Sequence, residues 1–314
     1  MIAFGSGMQL SLKTIEQHIA HAPFLQEDFH PKNCELACLG TIVTSMTMDQ
    51  FYELQKLLGS GFSVKNAIHE LPASAFREAV TDDLLGEASR AVEICAKKNY
   101  QIIYPGHSVY PESFLTIDHP PKFISYVGHS AWLQRLRISV VGSREMSANA
   151  KEWMEQYFDL FLKSTRAVTV SGAAFGIDQM AHRLSVRNCL PTIAFIPSGL
   201  SQVYPYRFNH EIAEIILAKG AVMSEFLPNQ EIKKHHFERR NRLISAISEV
   251  LFIVEARRKS GSIMTARLAL GQNKTLCVLP SSPMFTQNLG NLDLLFDGAH
   301  PLRDEKDLIA IMGL

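Results

Sequence analysis

From about Leu36 to Lys98, apolar residues recur at three- and four-residue spacing, most clearly in "MDQFYELQKLLGSGFSVKNAIHELPASAFREAV", which is broken by "GSG" at 59–61. That spacing lines one face of successive helices, with a turn at the glycines. It predicts a small all-α N-terminal domain over 1–103, and the pattern serves a plain packing module as well as a binding one. Residues 104–129 are rich in proline. Each proline removes a backbone donor and disfavours helix in the residue before it, so 104–136 reads as a linker or extended lead-in.

From Arg137 onward the pattern changes. Short apolar, β-branched runs, "ISVV" (138–141), "AVTVS" (167–171), "TIAFI" (192–196), "AVMSE" (221–225), "VLFIV" (250–254) and "TLCVL" (275–279), alternate with amphipathic stretches. Strands buried on both faces and separated by helices predict an α/β fold, a doubly wound, mostly parallel sheet over 137–314.

Length and composition narrow the class. The 314 residues exceed one typical domain of roughly 150 and suit a large domain plus a small one. Hydrophobic residues make up 46% and charged residues 20%, ordinary values for a folded chain. Net charge is zero, so affinity for a polyanion has to come from a local patch. The five cysteines, Cys34, Cys38, Cys95, Cys189 and Cys277, form no C-x-x-C pair, which argues against structural zinc and against a disulfide framework. The N-terminus has no basic segment leading into an apolar one, and no apolar run reaches the roughly 18 residues of a membrane span. A cytosolic protein is expected.

In a doubly wound sheet, ligands bind beyond the carboxyl ends of the strands, where helix N-termini present unpaired N–H groups. The first of these strand ends holds Gly142, Ser143 and Arg144, a close backbone approach, a hydroxyl and a planar fork suited to phosphate. The second holds Ser171, Gly172 and Gly176, before a helix expected to be capped near Asp178. The fifth holds Ser260, Gly261 and Ser262. Together they describe a groove for anions. Neither a G-x-G-x-x-G fingerprint nor a Walker A motif is present, so no nucleotide cofactor is expected. Asp178 and His182 could imitate an acid–base pair, but a cap and a structural hydrogen bond explain the spacing equally. Glu225 and Glu255, just past two strands, suit the orientation of nearby arginines better than paired catalysis, and only His235 and His236 are left as a weak metal candidate.

Residues 233–242 gather Lys233, Lys234, Arg239, Arg240 and Arg242 against one acid, Glu238. A charge run is usually a solvated face. This one, however, lies between the fourth and fifth of the predicted strands, where a crossover helix starts beside the groove, and it carries Phe237. An aromatic ring among phosphate-binding groups is what a single nucleic-acid strand requires, because exposed bases stack on it.

The motifs "YPESFLTIDHPPKFISYVG", "ISVVGSR", "VSGAAFGIDQMAH", "IPSGLSQVYP", "GAVMSE", "FERRNRLI", "VEARRKSGSIMTARLA" and "LGNLDLLFDGA" follow one another from about Tyr104 to Leu302. In order and spacing this region resembles the DNA-processing protein A family, also called Smf, of bacterial natural transformation. The resemblance implies an extended Rossmann-like domain that binds single-stranded DNA without sequence preference, forms homodimers and loads the RecA recombinase. It implies phosphate contacts at Gly142, Ser143, Arg144, Ser171, Gly172 and Lys234, base contact at Phe237, and a groove shaped by Arg239, Arg240, Asn241, Arg242 and the Ser260–Ser262 turn. The helical region is similar to the sterile-alpha-motif-like or helix-hairpin-helix-like domain of many members. Glu238 stands where many members carry proline, and Pro280–Ser281 replaces a usual Pro-Gly. The chain ends at Leu314, so no C-terminal winged helix is expected.

The expected protein is thus not an enzyme and needs no cofactor. The alternative is a Rossmann-like nucleotide-binding or nucleoside-monophosphate-hydrolysing enzyme. That class carries a P-G-G-x-G-T-x-x-E loop, and "ARRKSGSIMTA" has neither its glycines nor its acid.

Overall fold

The computed structural model describes residues 30–314. The first 29 residues of the expected N-terminal domain, and the N-terminal segment read for a leader, lie outside the described residues.

The helical region comprises α1 (Pro31–Ile42), α2 (Met48–Gly59), α3 (Val64–Glu70), α4 (Ala75–Ala79) and α5 (Asp82–Lys97). Helices α2 to α5 begin after Thr47, Ser63, Ser74 and Thr81, whose hydroxyls accept from the backbone N–H three residues on. Such caps satisfy one of the donors that a helix start leaves open. Gln50 completes a capping box by accepting from the Thr47 N–H. The core of this region, with Phe51, Leu54, Phe76 and Cys38, continues into Ile102, Tyr104 and Phe123. Helical region and sheet edge therefore share one apolar cluster.

The α/β part is a nine-stranded sheet in the order β1-β2-β6-β5-β4-β3-β7-β8-β9. Its strands are β1 (Gln101–Ile103), β2 (Ile124–Gly128), β3 (Arg137–Val141), β4 (Val168–Ser171), β5 (Thr192–Phe195), β6 (Ala221–Ser224), β7 (Val250–Ile253), β8 (Thr275–Val278) and β9 (His300–Pro301). β3 to β9 run parallel, and β1 and β2 add an antiparallel edge. All six strands expected from β-branched runs are present. The proline-rich stretch is not an extended linker: turns and a 3-10 turn at Glu112–Phe114 lead into the fully buried β2. β1, β2 and β9 escape sequence reading because they are short or flanked by proline.

Alternation along each strand divides the core between two faces. Leu251 and Ile253 pack with Val168, Val170 and Leu243 on one side, and Val250, Phe252 and Val254 pack with Phe158, Phe161 and Ile177 on the other. The first side is covered by α10 (His236–Ala246), α11 (Gly261–Gly271) and α12 (Leu289–Phe296). The second is covered by α6 (Ala148–Trp153), a π-helical turn at Met154–Phe158, α7 (Asp159–Thr165), α8 (Ile177–Arg187) and α13 (Glu305–Ile311), while α9 (Asn209–Leu217) packs over β5 and β6. No helix among the described residues is long and apolar enough to cross a membrane.

The chain order reverses at β3, which leads to β4, β5 and β6 on one side and borders β7 on the other. Loops after β3 and β7 diverge there, and the crevice they leave is where this class of sheet binds ligands.

Candidate nucleic-acid interface

A cleft of about 370 Å³ opens at that reversal point. Gly142, Ser143 and Arg144 line it from the loop after β3, and Ser260, Gly261 and Ser262 line it from the start of α11. Phe237, Arg240, Asn241 and Ile244 line it from α10. Their spacing of three, four and seven residues is one face of a helix. Three of the sequence-predicted groups thus meet in one place.

The loops are held by their own hydrogen bonds. The Ser143 hydroxyl donates to the Glu145 carbonyl at 2.8 Å and accepts from its N–H at 3.1 Å. Ser262 donates to the Gly142 carbonyl at 2.9 Å, tying α11 to the end of β3. Ser260 caps α11 by accepting from the Ile263 N–H, and the next two residues of the helix start, Gly261 and Ser262, line the cleft. Gly176 has φ +77°, and a Cβ there would run into the Ser143 and Arg144 carbonyls. Only glycine lets the start of α8 approach the loop that carries Arg144 so closely.

Arg144 is exposed, and its guanidinium carbon stands 5.5 Å from the centre of the Phe237 ring. A charged fork suited to phosphate and an aromatic face suited to a base therefore stand side by side.

Arg240 has a different role. It is 5% exposed, and it donates to the Gly172 carbonyl, to the Phe195 carbonyl at 2.7 Å and to Asn241 Oδ1 at 2.8 Å. It ties the ends of β4 and β5 to α10, and a Cβ on Gly172 would occupy the place of its guanidinium. Beneath it, the Asp178 carboxylate accepts from the Gly172 and Ala174 N–H groups at 3.2 and 3.4 Å. Asp178 therefore braces the preceding loop and does not cap its own helix, which begins after Gly176 without a side-chain cap. Burial pushes the Asp178 carboxyl up to about 6 against the pull of Arg240, and it pulls the Arg240 guanidinium down to about 10. Desolvation outweighs the mutual attraction of the pair.

The other members of the basic run lie on different faces. Arg242 and Arg239 turn to Glu225, which is 2% exposed, and Arg239 also lies 5.3 Å from the Phe226 ring. Neither lines the cleft, because α10 points residues 239 and 242 away from the face that bears 237, 240 and 241. Lys234 is exposed in the turn before α10 and stands outside the cleft lining. Ser171 is fully buried and donates to the Val140 carbonyl at 2.6 Å, so its hydroxyl locks β4 to β3 and does not face a ligand.

The remaining candidates are structural. His182 is bonded to Thr192 at 2.7 Å, not to Asp178. Glu255 accepts from Ser147 N–H and Oγ and from Asn288, which fixes the start of α6. His236 stacks on Phe226 at 4.0 Å with its Nδ1 3.1 Å from the Pro197 carbonyl. No group of three or more His, Cys, Asp or Glu among the described residues could hold a metal ion.

Two rings beside Phe237, and a third beyond them, were not legible as a group in the sequence. Phe175, Tyr204 and the Tyr204–Pro205 bond border a small hollow with Arg144 and Phe237, and Tyr206 follows at the surface. Their signal was present in "GAAFG" and "VYPYRF", but those loops meet only in three dimensions.

Known proteins share this sequence pattern and this fold. The family model described as DNA recombination-mediator protein A matches residues 101–313, more than half of the chain. A protein named Smf from Synechocystis is 32% identical over 221 residues, covering 69% of this chain and 55% of its own length. The Smf protein of Escherichia coli K12 is 33% identical over 183 residues, covering 58% and 48%. The chain spans about half the length of these curated relatives. The solved structure of DNA processing protein A from Streptococcus pneumoniae superposes with a TM-score of 0.70 at 23% identity, over 88% of this chain and 97% of that one, and shares the fold. That of DNA processing protein A from Helicobacter pylori, solved in a study of its single-stranded DNA binding mode, gives a TM-score of 0.60 at 30% identity, over 68% and 95%. By the extent of the match and the placement of its motifs around one cleft, the chain belongs to the DNA recombination-mediator protein A family.

Proposed function

We propose that the cleft between β3 and β7 binds single-stranded DNA through its phosphates and without sequence preference. On this reading the protein is a recombination mediator of natural transformation. It protects incoming strands in the cytoplasm, loads the RecA recombinase and works as a homodimer joined through the α/β domain. The reading contains no catalytic step and no bound cofactor.

The observation that carries it is the pairing of Arg144 with Phe237 beside a cleft that the first residues of α11 line. Phosphate oxygens are met by Arg144 and by the N-terminus of α11, and an unpaired base is met by the ring. Lys234 adds an exposed cation outside the cleft lining, placed to attract the next phosphates. A neutral chain thereby gains a local site for a polyanion. The Helicobacter pylori relative, described as a single-stranded DNA binder, supports the same choice of ligand.

The test is fluorescence anisotropy of a labelled oligo-dT and its duplex form at two salt concentrations. The reading expects tight binding that prefers the single strand and weakens with salt at a log–log slope of about −0.7 per neutralised phosphate. Flat salt dependence, or no binding by the folded protein, rejects it. Nucleotide release from a monophosphate in the same preparation would favour the hydrolase alternative.

A further inference from the structure

Four aromatic rings from three chain segments converge beside the cleft. Phe175 comes from the loop after β4, Tyr204 and Tyr206 from the loop after β5, and Phe237 from the first turn of α10. The Tyr204 ring lies 6.2 Å from Phe237 and 6.5 Å from Tyr206, edge-on to both. Tyr206 is 72% exposed and Phe175 is 41% exposed.

Single exposed apolar residues are common and need no explanation. These are contiguous, however, and they adjoin Arg144 and the exposed Arg207. Phe175, Tyr204 and Phe237 border a small open hollow with Arg144, and a nucleobase that lies across its rim meets their rings. Rings set edge to face offer a series of differently tilted platforms. Bases stacked rigidly in a duplex cannot follow such a series, whereas unstacked bases can each turn to meet one.

We propose that Phe175, Tyr204 and Tyr206 extend the base-contacting surface beyond Phe237 into an aromatic track for neighbouring unpaired nucleobases, with Tyr206 as its outer platform. The proposal rests on the reading of the adjoining cleft as a phosphate site for single-stranded DNA. It adds a second surface whose ligand is the base and not the backbone. Every nucleobase has a π-face, so the track tolerates any sequence while demanding a single strand.

The experiment compares oligo-dT with an oligonucleotide of equal phosphate number in which the bases are removed, using wild type, Tyr206→Ala, Phe175→Ala and Tyr206→Phe. Loss of one stacked base predicts a roughly 5- to 150-fold weaker affinity of Tyr206→Ala and Phe175→Ala for oligo-dT. The abasic strand should bind these variants as it binds wild type, and Tyr206→Phe, which keeps the ring, should recover the loss. If both alanine variants bind oligo-dT like wild type, or lose affinity for both strands equally, the track is wrong and the cleft reading stands. If wild type binds neither strand, the cleft reading has failed and the track fails with it.

Discussion

The guanidinium of Arg144 stands over the ring of Phe237, with 5.5 Å between its central carbon and the ring centre, and so joins the loop after β3 to the first turn of α10. Residues almost a hundred positions apart in the chain form one contact unit. A cation over a ring at an exposed site contributes about 0.5–1 kcal/mol, too little to fix the loop alone. Gly176 and the Ser143 hydrogen bonds hold the backbone, and the pairing sets the direction of the side chain.

Removing that cation should weaken the site without unfolding it. Arg144→Ala is expected to bind oligo-dT about tenfold more weakly, and its salt slope should be smaller by about 0.7, the contribution of one phosphate. Arg144→Lys should keep most of the slope but lose part of the affinity, because lysine has no planar fork. Anisotropy titrations at several salt concentrations check both.

Arg240 should behave in the opposite way. Its guanidinium holds the Gly172 and Phe195 carbonyls and faces the buried Asp178. Arg240→Ala leaves that carboxylate without its cation and two strand ends without a donor, and should cost about 3–5 kcal/mol in stability. Urea denaturation would show the drop, and any loss of DNA binding should track the unfolded fraction.

Arg242 separates charge from function within the basic run. It pairs with the buried Glu225, whose carboxyl is raised by burial although Arg242 and Arg239 pull it down. Arg242→Ala is therefore expected to lower the melting temperature, while the affinity of the protein that stays folded changes less than twofold. Glu225→Gln should destabilise in the same manner, leaving two arginines short of an acceptor.

A pH dependence follows from His182. The Thr192 hydroxyl donates to the Thr169 carbonyl, so it accepts from Nδ1–H of the imidazole, and Nε2 is a buried nitrogen with no partner. Burial, with a smaller push from Arg240, lowers this histidine to about 3. Below its ordinary value of 6.5 the unfolded chain takes up a proton that the folded chain refuses, so stability falls as pH drops from about 6.5 toward 3. Asp178 acts in the reverse sense. Its folded carboxyl is raised from 3.8 to about 6, so its contribution to stability is full below 3.8 and is lost as pH rises through about 6. His182→Gln should remove the first term, and the difference between variant and wild-type stability should shift in favour of the variant as pH falls from 6.5 to 4. Denaturant midpoints measured across that range check the sign.

Hydrophobic patterning specified the six strands β3 to β8 and their order along the chain, but not β1, β2 or β9. Runs such as "ISVV" and "VLFIV" are too apolar to tolerate an exposed face, so they specify central parallel strands wherever they fall. Glycine and serine at the ends of β3 and the start of α11 specify loops that pack closely and expose N–H groups, and these marked the cleft in advance. Tertiary structure decided which side chains enter it. The rotational phase of α10 is fixed by how Leu243 and Ile244 pack on the sheet, and that phase sends Phe237 and Asn241 to the cleft and Arg239 and Arg242 to Glu225. Arg240 shares the cleft face yet is consumed by strand-end carbonyls, and Ser171 is consumed by β3. Phe175 and Tyr204 adjoin Phe237, and Tyr206 adjoins Tyr204, only because loops distant in sequence leave the same edge of the sheet, a proximity that composition and periodicity do not encode.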